Sequence, residues 1–219
     1  MDGQIVHENG NDEPSAYTSS SMNPDSSQIT LGILAGGRAT RLGGIDKAWI
    51  ERGGIPQVLR WQGRFLSETA ALLVSANRDL PRYAEAGLEV VTDRFTDDLG
   101  PIAGLDALLH NCRTPWLLTL PVDLVGVNEC LVPSLCSSRS DNGAFAIDAD
   151  GPQPLVALWR VEAASEAIAT AIGQGNGAIQ ALHTRLGMAS VRFEGVRFGN
   201  LNTPEDLIAA GAAAAIRHD

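Results

Sequence analysis

From Ile29 onward the chain alternates short apolar runs with helical patterns, and no other feature limits its possible folds as much. Apolar runs bounded by glycine or proline read as buried strands, and longer periodic segments as helices. Strands are expected at "ITLGILA" (29–35), "ALLVSAN" (71–77), "LEVVTD" (88–93), "PWLLTLPVD" (115–123), "GAFAID" (143–148), "PLVALW" (154–159) and around Ala189–Phe193. Between them fall helical patterns at "PQVLRWQGRFLSE" (56–68, with Pro56 in its first turn), "LPRYAEAG" (80–87) and "PIAGLDALLHNC" (101–112). "NECLVPSLCSS" (128–138) reads as a short helix interrupted by Pro133, and further helices are expected over Val161–Ile172 and Ala178–Leu186. In the closing "NTPEDLIAAGAAAAI" (202–216), Thr203 suits an N-cap, Pro204 the first helical residue and Asp206 the third.

Such alternation predicts an α/β fold: a single-domain, doubly wound, mainly parallel sheet with helices on both faces. Ligands of these sheets bind beyond the carboxyl ends of the strands. That rule selects three loops, the one after Ala35, the one ending at Asp93 and the one ending at Asp123.

Residues 1–27 are polar, carry five acidic side chains and hold no Lys or Arg, so they are expected to form a disordered tail ahead of a domain spanning 28–219. Met22 lies late in that tail and is an alternative start. The formal net charge is -10 and no basic stripe runs along the chain, which argues against a nucleic-acid polymer as partner. A small anion can still bind a local basic loop. Cys112, Cys130 and Cys136 form no C-x-x-C pair and have no His cluster beside them, so neither a zinc site nor a disulfide framework is supported. No apolar run reaches the length of a membrane span and no signal-peptide pattern opens the chain, so a cytoplasmic protein is expected.

One loop concentrates charge and glycine. "LAGGRATRLGGIDK" (34–47) follows the first strand and includes Lys47, the only lysine of the chain. Gly36 and Gly37 can take positive φ and let successive amides form an anion-binding nest, with Arg38, Arg41 and Lys47 adding cationic charge. Together they suit a nucleoside triphosphate. The simpler reading is a glycine-rich turn with solvated basic residues. Neither the P-loop pattern nor the dinucleotide fingerprint G-x-G-x-x-G is present, which disfavours a dinucleotide oxidoreductase. Asp123, just past the fourth strand, could hold Mg²⁺ with phosphate and water completing the shell, or could merely cap a turn or helix. No nucleophilic triad is visible: His110 and His183 lie in helical patterns and are expected to be structural or exposed.

The stretch "LAGGRATRLGGIDK" resembles the L-A-G-G-x-x-x-R-[ML]-G-G-x-D-K signature of molybdenum cofactor guanylyltransferases, a MobA-like group of the nucleotidyltransferase superfamily. Related cytidylyltransferases typically read L-A-A-G where this chain has Leu34-Ala35-Gly36-Gly37, so the resemblance favours a guanine nucleotide. "PVD" (121–123) is similar to the family's metal-binding P-x-D element, although Val125 stands where relatives usually have a proline. "VSANRDLPRYAEAGLEVVTD" (74–93), "GPIAG" (100–104), "QPLVALW" (153–159) and "NLNTPEDL" (200–207) resemble further family segments, and Ser75 stands where relatives commonly have an Asn that touches the base.

The resemblance implies a Rossmann-like nucleotidyltransferase fold, GTP and molybdopterin (molybdenum cofactor) as substrates, Mg²⁺ as cofactor, and molybdoenzymes or their chaperones as downstream partners, with no membrane or nucleic-acid role. It implies nucleotide contacts from Leu34, Ala35, Gly36 and Gly37, then from Lys47, Ser75, Asp93, Gly100 and Asp123. Asn200 and Asn202 would lie near the pterin, although Asn202 also suits a simple lead into a capped helix. Arg41, Lys47 and Asp123 would be catalytic, with Asp123 the metal ligand. The implied reaction moves GMP from GTP to a terminal phosphate with loss of pyrophosphate. Other expectations remain open: CTP or a sugar phosphate as substrate, or a nucleotide-binding module without turnover.

Overall fold

The computed structural model describes residues 23–36, 46–95 and 99–213. The first described residues precede the expected boundary at Gln28. Asp25 caps a 3-10 turn at Ser26–Gln28, and the Asn23 carboxamide oxygen accepts from Arg139, so residues 23–27 belong to the folded part. The rest of the expected tail lies outside the described residues.

The first strand, β1 (Ile29–Leu34), is followed after an interval by a 3-10 turn at Lys47–Trp49 and by β2 (Glu51–Arg52), β3 (Ile55–Pro56) and α1 (Gln57–Phe65). Next come β4 (Ala71–Ser75), α2 (Leu80–Glu85), β5 (Val90–Val91), α3 (Pro101–Asn111), β6 (Trp116–Pro121) and α4 (Leu131–Ser138). The chain continues through β7 (Gly143–Asp148), β8 (Gly151–Arg160), α5 (Val161–Gly173), α6 (Ile179–Leu186), β9 (Ala189–Arg192), α7 (Pro204–Ala209) and β10 (Ala212–Ala213).

Seven strands form the main sheet in the order β5-β4-β1-β6-β8-β7-β9. β1 runs parallel to both β4 and β6, and β4 to β5, as the βαβ alternation requires. β8 is antiparallel to both β6 and β7, because β7 and β8 form a hairpin closed at Asp148–Gly151, while β9 returns parallel to β7. The strand order reverses at β1, which places the ligand crevice of such sheets beyond the ends of β1 and β6.

Period-2 side chains send each strand to both layers. Ile29, Leu31 and Ile33 of β1, with Trp116, Leu118 and Leu120 of β6, pack against α1, α2 and α4. Leu117 and the alternate β8 residues Ala157 and Trp159 meet α3, α5 and α6 on the other face. The fold is thus a mainly parallel, doubly wound α/β sheet, as its sequence pattern predicts. α3 lies unusually close to the sheet because Gly104 has no Cβ: one there would meet Ser75 Oγ at 2.7 Å and Leu34 Cδ2 at 3.0 Å.

Several expectations are corrected in detail. Pro133 does not interrupt α4; it is the third helical residue, where no intrahelical N–H bond is needed. Pro56 is the N-cap of α1 rather than a residue of its first turn. The alanine-rich close is not one helix, since the chain leaves α7 at Ala210, turns at Gly211 (φ 62°) and pairs Ala212–Ala213 with β2. β2 and β3 form a tight hairpin around Gly53 and Gly54, both at positive φ (60° and 75°), the geometry that Gly-Gly turns supply. Among the described residues no helix is long and apolar enough to cross a membrane.

Candidate active site

Lys47 is presented by a short, well-anchored turn. Asp46 caps it by accepting from the Ala48 amide at 2.9 Å, and its other oxygen accepts from the Tyr83 hydroxyl at 2.8 Å. Tyr83 is fully buried on α2, with its ring centroid 5.0 Å from that of Trp49. Burial pushes the Asp46 carboxyl above its ordinary range, against the opposing effect of those two hydrogen bonds. Apolar packing therefore fixes one side of the turn and leaves the Lys47 side chain reaching across the crevice.

Asp123 stands on a loop whose backbone is tied on every side. The Val122 amide donates to Leu34 O at 3.0 Å, and Val122 O accepts from Trp61 Nε1 at 3.2 Å. Asp123 O accepts from the Leu201 amide at 2.9 Å, Leu124 O from Gln57 Nε2 at 2.5 Å, and the Val125 amide donates to Gly199 O at 2.8 Å. A proline at 125 could not make that last bond. In this chain, pairing with residues 199–201 shapes the loop in its place.

The segment that brings Asn200 and Asn202 is itself anchored. The buried Asp148 carboxylate accepts from the Phe198 amide at 2.6 Å; burial alone would raise its pKa, but this bond and those from Gln153, Asp150 and Gly151 hold it below the usual range. Asn200 then pairs with Leu124 as an isolated antiparallel bridge. Asp206 Oδ2 accepts from the amides of Asn202 (3.0 Å) and Thr203 (2.8 Å), and Thr203 caps α7 in a reciprocal capping box.

These elements converge on Lys47. Its Nζ donates to Asp123 Oδ2 at 2.8 Å and to Asn202 Oδ1 at 2.6 Å. The Lys47 and Asp123 side chains are 16% and 19% exposed, so the pair is partly desolvated yet open to solvent on one side. No helix begins at Asp123, and among the described residues its carboxylate is hydrogen-bonded by Lys47.

The other expected residues fall into different classes. Leu34 and Ala35 act through the backbone, Leu34 O accepting from Val122 and the Ala35 amide donating to Ser75 O at 2.9 Å. Gly36 is exposed but not at positive φ, so the left-handed geometry expected there is absent; its chain still follows the path set by the Ala35 bond to β4. Gly37, Arg38 and Arg41 lie outside the described residues. Ser75 is 1% exposed, its Oγ beneath Gly104, so its hydroxyl does not line the open crevice. Asp93 is bound reciprocally to Asn77, its Oδ2 accepting from Nδ2 at 2.8 Å and its amide donating to Oδ1 at 2.9 Å. Gly100 is exposed at φ 69° and ψ -150° and precedes α3. Two concavities, of about 540 and 460 Å³, open elsewhere, one around Trp116, Arg139 and Arg160 and the other around Arg52, Arg60 and Val127. Neither includes Lys47 or Asp123, so strand-end chemistry rather than hollow size marks the site.

Comparison with known proteins shows the family. The MobA-like NTP transferase domain matches residues 31–189, which include most of β1, all of β4 and β6, and the Lys47 and Asp123 loops. The chain belongs to this MobA-like family. A molybdenum cofactor guanylyltransferase from Cupriavidus pinatubonensis is 37% identical over 188 residues, covering 82% of this chain and 94% of its own length. One from Serratia proteamaculans is 34% identical, covering 83% and 93% respectively. Among solved structures, molybdopterin-guanine dinucleotide biosynthesis protein A from Archaeoglobus fulgidus superposes with a TM-score of 0.61 at 21% identity, over 83% of this chain and 96% of that one.

As a MobA-like nucleotidyltransferase the chain must accommodate a triphosphate, and its donor set bears on the metal. Among the described residues no group of three or more His, Cys, Asp or Glu could hold a cation unaided. Asp123 offers one carboxylate, which fits an ion such as Mg²⁺ that draws most of its ligands from phosphate and water. Residues that the sequence reading missed are those that position others: Asp46, Tyr83, Gln57, Trp61 and Asn77. Gln57 had a signal, because it is the polar member of the buried stripe Gln57, Trp61 and Phe65, at helical spacing.

Proposed function

We propose that this chain is a molybdenum cofactor guanylyltransferase, moving GMP from GTP to the terminal phosphate of molybdopterin with release of pyrophosphate. The observation that carries the proposal is Lys47 Nζ held between Asp123 and Asn202, at the crevice where β1 and β6 end. It is supported by the names of the relatives and by the Leu34-Ala35-Gly36-Gly37 sequence.

In this reaction a phosphate oxygen of the acceptor attacks the α-phosphorus, and the bond from that phosphorus to the β-phosphate oxygen breaks. The acceptor is already an anion, so no hydroxyl must lose a proton and no Ser or Cys nucleophile is required. The barrier is dominated by like-charge repulsion, which positioned cations lower. With a triphosphate in the crevice Lys47 would turn from the carboxylate to phosphate oxygens, and Asp123 would be the residue to hold Mg²⁺. The metal, when bound there, offsets charge on the leaving pyrophosphate. Asn202, now released, and Asn200 face the acceptor side. Arg41 adds a further cation for the triphosphate. GTP and the pterin acceptor are pools of the cytoplasm, where we place the enzyme.

Incubation with each of four NTPs, Mg²⁺ and authentic molybdenum cofactor, followed by mass analysis, tests the proposal. A guanine dinucleotide product is expected with GTP alone. A cytosine product, or none with any NTP, overturns it. Asp123→Ala is expected to abolish turnover while circular dichroism stays native.

A further inference from the structure

Helix α1 carries one polar residue that packing does not explain. Gln57 is fully buried in line with Trp61 and Phe65, where an apolar side chain would fill the same space. Its Oε1 is left without a hydrogen-bond partner, an arrangement that core packing alone disfavours. What the amide does is bind outward: Nε2 donates to Leu124 O at 2.5 Å, on the residue after Asp123.

Its backbone reaches the other half of the site. The Gln57 amide, which as the first helical residue has no intrahelical acceptor, donates to Ile50 O at 2.9 Å. The Ile50 amide in turn donates to Lys47 O at 3.3 Å. A closed circuit results, from the Lys47 backbone through Ile50 and Gln57 to Leu124, and from Asp123 back to the Lys47 ammonium. One residue thus holds both the turn that bears the lysine and the loop that bears the carboxylate. Trp61, one turn further along, holds Val122 O on the other side of Asp123, but Val122 is also fixed through its own amide to Leu34.

We infer that Gln57 is a positioning residue for catalysis, setting the separation and aim of Lys47 and Asp123 without touching substrate. The inference rests on the function proposed above. It is independent of packing, since methionine has nearly the volume of glutamine and can fill the same slot while donating nothing.

The test compares wild-type protein with Gln57→Met, and with Trp61→Phe, which deletes the indole donor together with part of the ring. Three quantities are read: kcat per site, with sites counted by GTP titration; KM for GTP; and Mn²⁺ affinity of the GTP complex by electron paramagnetic resonance. Gln57→Met is expected to lower kcat by about 10- to 100-fold, the scale on which misplacement of about an ångström acts, with KM for GTP within about twofold. Mn²⁺ affinity should fall by about tenfold, and Trp61→Phe should change each quantity less than Gln57→Met does. A purely structural role would lower thermal stability and the number of competent sites, but leave kcat per site and Mn²⁺ affinity unchanged; that result overturns the inference. Should Gln57→Met not fold, Gln57→Leu, which also lacks the donor and stays apolar, carries the same expectations. Absence of turnover in the wild type would count against the proposed function alone, because the Mn²⁺ comparison still reads Gln57.

Discussion

Lys47 Nζ lies 2.8 Å from Asp123 Oδ2, so the lysine of one strand-end loop is the counter-ion of the carboxylate on the next. Under the proposed function a metal held by Asp123 and the lysine would compete for one oxygen, and a triphosphate would relieve the competition by drawing Lys47 away. Lys47→Met should therefore bind Mn²⁺ more tightly than wild type without nucleotide, yet release pyrophosphate at least about a hundredfold more slowly. Lys47→Arg should also lose most activity, since a rigid fork cannot replace a compact ammonium between two close oxygens. Titration calorimetry and a pyrophosphate assay decide the matter. Metal affinity unchanged in Lys47→Met would show that the ion pair is incidental.

Tyr83→Phe removes one donor from the half-buried Asp46 carboxylate while leaving the ring packed on Trp49. The loss should be roughly 1–3 kcal/mol of stability at neutral pH. Its pH dependence has a definite sign. Asp46 already titrates above its ordinary 3.8 in the folded protein, so its contribution to stability declines as pH rises from 3.8 through the folded pKa. Without the Tyr83 bond the folded pKa rises further. The variant's deficit in urea titrations should thus be larger at pH 8 than at pH 4.5.

His183 sits 4.2 Å from the Phe145 ring in a stacked arrangement and is 4% exposed. Burial pulls its pKa down to about 4, against the weaker upward effect of its bond to Pro154 O. The unfolded chain takes up a proton near pH 6.5 and the folded protein does not, so this stability is full above 6.5 and is lost as pH falls toward 4. The loss across that window is on the order of 3 kcal/mol. His183→Leu should flatten the fall in stability between pH 7 and pH 5, measured by urea denaturation. An unaltered slope would place the acid sensitivity elsewhere.

The legible parts of this sequence were those with local or periodic signals. Apolar runs marked the strands β1, β4 and β6, which pair in parallel. Thr203, Pro204 and Asp206 announced the start of α7, because capping is chemistry between residues three apart. The hairpin of β2 and β3 carried the signal of Gly53-Gly54 but was too short for a periodicity, and its partner β10 lay in an alanine run with strong helical propensity. Long-range contacts were out of reach. No spacing rule places Gln57 on Leu124, Tyr83 on Asp46 or Asn77 on Asp93, since these depend on tertiary packing. Lys47 and Asp123 were singled out separately, and only the fold joins them through a hydrogen bond between residues 76 positions apart.

Asp206 aligns Asn202 without reaching Lys47 by hydrogen bond. Its Oδ2 receives the amides of Asn202 and Thr203, which hold the carboxylate below its ordinary pKa, the Asn202 bond having the largest effect. Asp206→Ala frees both amides and the lead-in to α7, and the Asn202 carboxamide loses its fixed aim at Lys47. The expected kinetic signature differs from that of Lys47→Met. KM for the pterin acceptor should rise by about tenfold, because Asn202 lies on the proposed acceptor side, while GTP affinity measured without acceptor stays within about twofold. Asp206→Asn keeps an acceptor oxygen for these amides and should recover most of the loss. Because the folded carboxyl titrates below 3.8, its ionised grip is complete above that value and weakens as pH falls through the folded pKa. Acceptor KM of the wild type should consequently show no Asp206-linked change from pH 6 to pH 8. A rise in KM for GTP instead of the acceptor, in Asp206→Ala, would move Asn202 to the nucleotide side of the crevice.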